Sequence, residues 1–559
     1  MKWKISPKIK EKERKLYGKL DPILSQLLFN REILDKKSAE KFINPSWDEL
    51  YDPFDLFDVK SAVKRIEKAI KKKEKIIIHG DYDVDGMSAT AILWDYLYRK
   101  RKADVIPYIP SRVDEGYGLS EESVSKLKEQ GAQLIITVDC GIRDYELVDK
   151  EDLDFIIVDH HQPGEQISKK AIVVHPMHPE KQYPFESISG CAVTWKLICA
   201  MEKSRNLKNF NISKVEGIDL VALSTVTDIM PLKDENRIFV SLGLEKMKKD
   251  PNLGLDSLVS VSQIDIKSID TYHLGFMIGP RLNAAGRIGD PMDGVRLLST
   301  KEITVADRLS KELSDLNSKR QEMTEDVMNQ VKEITDGKDD FLFFAQKDGW
   351  SEGIIGLAAG KVLEEVYRPV IVATGDGDII RGSARSIVGF NITDAIENFS
   401  DLLEKYGGHA QAAGFTIKRK NLKEFEEGMK KLAKEKLKDK DLEREIKIDM
   451  EIDSTEVDWE LVKVVEKLKP YGVGNRRPLF LIRDIVVVSS QGISEDKHMK
   501  FSIKGEDSEF ISCIFFNSND WLKKLKPGTI IDIVGVPEVN VWNGSQNLQF
   551  NVTDVRVAK

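Results

Sequence analysis

The sequence predicts an α/β protein: a parallel-sheet domain joined by a long helix to a smaller α/β domain, followed by a small β-barrel. Three observations carry this expectation. Between about residues 70 and 175, short Ile- and Val-rich runs alternate with helical patterns. Across residues 309–334, apolar side chains recur three or four apart, the clearest helical periodicity in the chain. Beyond about residue 445, short apolar runs are separated by turn residues.

Residues 1–50 read as an N-terminal helical segment. Residues 51–300 hold the runs Lys75–His79, Val105–Ile109, Leu134–Asp139, Phe155–Asp159 and Ala171–His175. These show little polar alternation, so they are expected as strands buried on both faces, with crossover helices between them. Another helix is expected over Gly217–Val226. Residues 301–336 form the long helix, with Leu309, Leu313, Leu316, Met323, Val327, Val331 and Ile334 on one stripe. Some thirty residues of helix reach roughly 45 Å. It joins two lobes or lies along one, and the periodicity allows both. Residues 337–440 open a second α/β stretch with strands at Phe341–Phe344 and Val370–Ala373, and end near the charged tract Lys431–Glu445. Residues 441–559 carry the runs Phe480–Ile482, Ile485–Val488, Phe510–Phe516, Ile530–Val534 and Leu548–Val552. Pro527-Gly528 and Asn543-Gly544 supply turns, as expected of a small barrel.

Composition narrows the class. The 559 residues are 41% hydrophobic and 32% charged, a globular balance. Runs such as Leu134–Val138 are far too short to span a bilayer, so no membrane partner is expected. Met1–Lys15 is basic but no apolar segment follows, so it does not read as a secretion signal. The four cysteines lack CxxC spacing, which argues against a disulfide framework or thiolate zinc site and predicts a cytoplasmic protein. A net charge of -8, taken alone, points away from nucleic acid. A basic groove can nevertheless coexist with carboxylates that hold metals.

The most informative segment is His79-Gly80-Asp81-Tyr82-Asp83-Val84-Asp85-Gly86, where the Ile76–Ile78 run ends. Aspartates at i, i+2 and i+4 at a buried strand end would be costly without a cation, and hard divalent cations prefer oxygen. A calcium loop begins similarly, but no Glu closes the motif and no helix enters it. A solvated acidic turn would be the ordinary reading of this segment alone. Two more segments change the balance: Asp139 follows Leu134–Val138, and Asp159, His160 and His161 follow Phe155–Val158. Metal-ligand chemistry thus ends three expected parallel strands, in the crevice where open sheets bind ligands. If the strand continued, His160 and His161 would point to opposite sides.

These segments, H-x-x-x-D-x-D-G, V-D-C-G and V-D-H-H, resemble the first three motifs of the DHH phosphoesterase superfamily, and Ala222–Asp228 resembles the fourth. The resemblance implies two divalent cations, Mn²⁺ or Mg²⁺, held by His79, Asp83, Asp85, Asp139, His160 and Asp228. It implies catalytic roles for His161, Asp81 and Asp159, with His161 near the scissile phosphate and Asp81 behind the ligands. Within the superfamily, Gly279-Pro280-Arg281-Leu282-Asn283-Ala284-Ala285-Gly286-Arg287 resembles the RecJ exonuclease branch. So do Ser111–Gly118, Ser189–Val193 and Pro470–Asn475. Arg476-Arg477 departs from the branch, in which a Pro is expected sooner.

The implied architecture is a DHH-type domain, the long helix, a DHHA1 domain and an OB fold. Gly349–Gly356, Arg381–Ser386 and Gly407–Gly414 carry the DHHA1 likeness. Arg281 and Arg287 are read as straddling a Gly/Ala-rich turn, and Gly408-His409 as a loop entering a helix whose N–H groups hold phosphate. A structural salt bridge for each Arg, or a tight turn with a packed histidine, is the ordinary alternative. The expected DNA- and phosphate-binding set is Arg112, Gly190, Arg281, Asn283, Arg287, Ser383, Arg385, Gly408 and His409. Barrel aromatics Phe515, Phe516, Trp521 and Trp542 are candidates for stacking bases, with one of the adjacent pair in the core.

The resemblance therefore implies a monomeric exonuclease specific for single-stranded DNA, working 5′→3′ and releasing 5′-mononucleotides in DNA repair and recombination. A helicase and a single-strand-binding protein are its candidate partners. One alternative is a phosphodiesterase for short oligonucleotides or cyclic dinucleotides, which the barrel disfavours. Another is a non-catalytic DNA-binding scaffold, which the filled ligand positions disfavour.

Overall fold

In the computed structural model the described residues are 1–559 without 112–115, 117, 338–339, 441, 506–508, 543–544 and 559; the side chains of 519, 541 and 542 also lie outside them. The chain forms two compact units, one made of residues 51–228 and 243–444, the other of residues 1–50, 229–242 and 445–559.

The first unit holds an all-parallel sheet in the spatial order Val105–Tyr108, Ile76–Gly80, Leu134–Val138, Asp154–Val158 and Ile172–Val174. The central strands are buried throughout, which explains their unbroken apolar runs. The chain leaves Ile76–Gly80 toward one sheet edge and Leu134–Val138 toward the other. The carboxyl ends of these two neighbours therefore form a topological switch point. The helix Val84–Trp94 is buried over almost its whole length, between the sheet and the helices Gly190–Arg205 and Ile218–Thr227.

The helix Ile303–Thr335 spans 33 residues, about 50 Å. Its first half packs on Leu253–Val261 and Gly279–Ile288, its second on Glu352–Val366. It thus touches both α/β lobes. The second lobe has a mixed sheet in the order Leu403–His409, Ala412–Lys418, Ile379–Arg385, Val370–Thr374 and Phe343–Gln346.

Two expectations fail here. Gly279–Ile288 is a helix rather than a turn: Pro280 sits in its first turn, where a missing N–H is harmless, and Leu282, Ala284 and Ala285 favour helix. Gly407-Gly408-His409 does not lead into a helix. It ends an edge strand that turns back through a tight hairpin onto Ala412–Lys418.

In the second unit, Phe480–Ile493, His498–Lys504, Ile511–Phe515, Ser545–Val557 and Ile530–Trp542 close into a ring, the last pairing back onto the first. This is OB-like closure. The N-terminal segment is not independent of it. Tyr17, Leu24, Leu27 and Leu28 share a core with Phe480, Phe501 and Phe550. Lys2–Ile5 is a strand, not a helix, and pairs in parallel with Glu445–Ile448. Phe515 is buried and Phe516 exposed, while Trp521 packs partly buried against the core; the side chain of Trp542 lies outside the described residues. Among the described residues no helix is long and apolar enough to cross a membrane.

Candidate metal centre

The strand Ile76–Gly80 ends one residue before Asp81, and the chain turns at once into the helix Val84–Trp94. Asp83 caps that helix, its Oδ1 accepting from the N–H groups of Asp85 (2.8 Å) and Gly86 (3.1 Å). The turn is braced by Asn283, whose Oδ1 accepts from Val84 N at 3.1 Å. Gly286 permits this, since a Cβ there would lie 2.0 Å from the Tyr82 carbonyl oxygen. Asp85, on the first turn, is the most heavily bonded of the three. Its oxygens accept from Gly190 N and Cys191 N, both at 2.7 Å, and from Ser224 Oγ at 2.6 Å. Gly190 opens a helix capped by Ser189, so Asp85 lies against a helix N-terminus.

Asp139 follows Leu134–Val138 with φ of 62°, a left-handed conformation that Asp tolerates better than most residues. Gly190 packs directly on it: a Cβ there would come within 2.6 Å of Asp139 Oδ1. Asp228 ends the helix Ile218–Thr227.

Two groups of ligand atoms result. Asp81, Asp83 and Asp139 place carboxylate oxygens within 4.8 Å of one another, as do Asp85, Asp228 and a ring nitrogen of His160; Asp139 also groups with His160 and His161. His160 Nε2 stands 3.2 Å from Asp139, 3.5 Å from Asp228 and 3.7 Å from Asp85.

The electrostatics call for a cation. Burial first, then neighbouring aspartates, push the Asp139 and Asp228 carboxyls well above the usual carboxylate range. Burial and Asp85 raise Asp83 in the same direction. Burial lowers His160, favouring the neutral ring that metals bind. His160 Nε2 and Asp228 Oδ2 are buried atoms without a hydrogen bond among the described residues. An oxygen-rich donor set with one or two imidazoles suits hard or borderline divalent ions.

Several expected roles change. Asp81 lies with Asp83 and Asp139 in a ligand group rather than behind one, because the chain leaves the strand at Gly80 and no longer alternates. His79 stands outside these groups; its ring lies 3.6 Å from Cys140 Sγ and against Tyr108. His160 and His161 do not diverge. The strand ends at Val158, and both rings turn toward Asp139, with centroids 4.6 Å apart. Asp159 is fully buried, and its oxygens accept from His160 N, His161 N, Ile142 N and the His161 ring at 2.8 Å. These bonds tie it to the His160–His161 segment and to the turn at Ile142. Burial opposes its charge, but the His161 hydrogen bond and charge hold its carboxyl well below the ordinary value. Reciprocally, burial works against the His161 cation, yet the bond to Asp159 keeps the ring above its usual value.

On the second lobe, Ser383 and Arg385 line a cavity of about 380 Å³ together with Arg287, Arg381 and Tyr406. Arg385 donates to Ser383 Oγ at 3.1 Å, Arg287 to the Gly353 carbonyl at 3.1 Å, and Arg381 to both oxygens of Glu352. Gly408 and His409 are not among the lining residues. Arg281 donates to the Met277 carbonyl and Ser314, and Asn283 is engaged with the aspartate turn. Arg112 lies outside the described residues. The sequence reading gave no role to Ser224, which donates to Asp85, or to Ser189 beside it, although both lie in the segments Ala222–Asp228 and Ser189–Val193.

Comparison with known proteins identifies the domains. Residues 75–225 match the DHH family N-terminal domain, 339–435 the DHHA1 domain and 448–554 the RecJ OB domain. The single-stranded-DNA-specific exonuclease RecJ of Bacillus subtilis (strain 168) is 34% identical over 569 residues, covering 100% of this chain and 71% of that protein. This chain belongs to the RecJ family. RecJ of Haemophilus influenzae is 29% identical, with 95% of each chain covered. The crystal structure of RecJ from Thermus thermophilus in complex with Mn²⁺ superposes with a TM-score of 0.86 at 26% identity, over 100% of this chain and 80% of that one. A further RecJ exonuclease structure, bound to manganese, matches 69% of this chain and 98% of its own at 30% identity, with a TM-score of 0.60. The RecJ likeness therefore runs through both α/β lobes and the barrel.

Proposed function

We propose that the chain is a metal-dependent exonuclease that degrades single-stranded DNA from its 5′ end and releases 5′-mononucleotides. The observation that carries the reading is two neighbouring ligand groups, Asp81–Asp83–Asp139 and Asp85–His160–Asp228, with His160 Nε2 3.2 Å from Asp139. Asp81, Asp83 and Asp139 would hold one divalent cation, Mn²⁺ or Mg²⁺; Asp85, His160 and Asp228 would hold the other. Two such ions supply Lewis acidity toward phosphoryl oxygens and an activated water. The protein's own part is to fix the ligands and to present a hydrogen-bond donor beside the phosphate. Asp85 is held by two backbone N–H groups and Ser224, so it cannot swing away. His161, whose ring the bond to Asp159 holds above its usual value, would donate to a phosphoryl oxygen gaining charge. The cavity at Ser383 and Arg385 would take the terminal phosphate. The match of 448–554 to the RecJ OB domain supports a single-strand partner. Helicase and single-strand-binding partners, a monomeric state, a cytoplasmic setting and a role in repair and recombination rest on the family resemblance.

The test compares long single strands, duplexes and dinucleotides, each labelled at one end. Mononucleotide release from the 5′ end of long single strands is expected. Cleavage of dinucleotides alone would overturn the reading. Replacing Asp159→Asn should lower the rate roughly 10- to 100-fold, the usual cost of losing a supporting partner, and should also lower the melting temperature, because the amide N–H₂ would face the buried Ile142 N–H or the donors on the other oxygen. An unchanged rate would show that His161 does not depend on Asp159.

A further inference from the structure

The second unit carries a cavity that the exonuclease reading leaves unused. Its volume is about 510 Å³, and it lies off the barrel. Among the described residues its lining comes from the N-terminal segment, from Lys233 and from the stretch 447–476, with none from the five ring strands. Five cations line it, Lys4, Arg31, Lys233, Lys447 and Arg476, against two carboxylates, Glu32 and Asp449. This local excess of positive charge stands in a chain whose net charge is -8.

The charges sort into a compensated floor and an uncompensated rim. Arg31 is buried and pairs with Asp449 at 3.3 Å. It also donates to Asn475 Oδ1 at 2.8 Å and to the Arg476 carbonyl at 2.7 Å. Asn475, buried too, donates to the carbonyls of Leu468 and Pro470 at 2.7 and 2.8 Å. These bonds brace the loop that presents Arg476. On the rim, Lys233 stands 3.7 Å from Glu32, and Lys4 stands 3.6 Å from Glu445. Lys447 and Arg476 are exposed and have no ion pair among the described residues. Lys447 also lies in register beside Lys4. Neighbouring strands are about 4.8 Å apart, so these like charges repel. Burial lowers the Arg31 guanidinium and Asp449 opposes this, but Arg476 adds to the lowering. The charge of the rim is thus felt on the cavity floor. Two exposed cations on braced backbone, with no carboxylate of their own, suit a polyanion that brings its charge from outside. Asp449, Gly474 and Arg476 lie within the segment matching the RecJ OB domain. A guanidinium fork near an ammonium fits phosphate oxygens.

We propose that this cavity is a second nucleic-acid site, in which Lys447 and Arg476 each hold a backbone phosphate of the single strand. The assignment rests on the exonuclease reading for its ligand. Such contacts hold the strand by charge and read no base, so they add affinity without sequence preference.

The test joins Lys447→Gln and Arg476→Gln in one variant. A charge-matched control joins Lys19→Gln and Lys37→Gln, two exposed lysines of the same unit outside the cavity. Binding of an oligothymidylate is measured in EDTA across salt, and melting is followed alongside. The cavity variant should bind about tenfold more weakly at low salt. Its salt slope should be shallower by about 1.4, the value for two phosphate contacts on a single strand. Its melting temperature should stay within about 2 °C of the parent. The control should keep the parental slope. An unchanged slope in the cavity variant, or an equal change in the control, would overturn the proposal. So would a large fall in melting temperature, which would make the two residues structural. Inorganic phosphate and a polyglutamate peptide are added to separate melting samples. If either stabilises the parent but not the variant while the strand slope is unchanged, the cavity belongs to a free phosphate compound or to an acidic protein instead, and the strand site falls. A parent that neither binds nor cuts strands would overturn the exonuclease reading and the site together. A parent that cuts strands while the variant keeps its slope would overturn the site alone.

Discussion

Asp139→Asn should abolish strand degradation, lowering the rate on the order of 10³-fold or more, while raising the melting temperature of the metal-free protein. Both effects come from one atom exchange. Asp139 belongs to the Asp81–Asp83 group and also groups with His160 and His161, so its charge bears on both candidate cation positions. Its buried carboxylate faces Asp85, Asp83, Asp228 and Asp81, an arrangement that is repulsive without cations. An amide removes that repulsion and preserves the shape. Asn also tolerates the φ of 62°, which Ala would not without strain. Added Mn²⁺ should stabilise the parent strongly and the variant weakly. Mononucleotide release and thermal melting with and without Mn²⁺ check the prediction; parental activity would remove Asp139 from the metal centre.

Arg385→Ala should erase discrimination between 5′-phosphorylated and 5′-hydroxyl strands. The rate on phosphorylated ends should fall roughly 10- to 100-fold, the worth of a charge-assisted hydrogen bond or two. The rate on hydroxyl ends should change little. Arg381 in the same cavity donates to both oxygens of Glu352, and Arg385 is aligned by Ser383 Oγ and the Ala384 carbonyl. Equal losses on both kinds of end would assign Arg385 to the lobe's structure instead.

What could be read in the sequence follows the range of the forces involved. Ile76–Ile78, Leu134–Val138 and Phe155–Val158 are legible because strands buried on both faces need apolar residues at every position. The chemistry at their ends is legible because aspartate is rarely placed there without purpose. The aspartates' roles were harder. The i, i+2, i+4 spacing suggests a strand, but the chain turns into a helix at Asp83, and this brings Asp81 forward. Gly-Pro and Gly-Gly mark turns on local grounds. Yet Gly279-Pro280 opens a helix and Gly407-Gly408 ends an edge strand, because packing decides what propensity leaves open.

The barrel core draws Tyr17, Leu24 and Leu27 together with residues beyond 480, and Lys2–Ile5 pairs with Glu445–Ile448. On the ribosome, the first fifty residues are made long before their partners. At 5–20 residues per second, they wait roughly 20 to 90 s. During that interval an apolar helical segment has nothing to bury against, while the α/β unit between can already close. Newly made chains should therefore be most vulnerable to proteases and most dependent on chaperones in this segment, and should lose that sensitivity abruptly when synthesis passes the barrel's last strand.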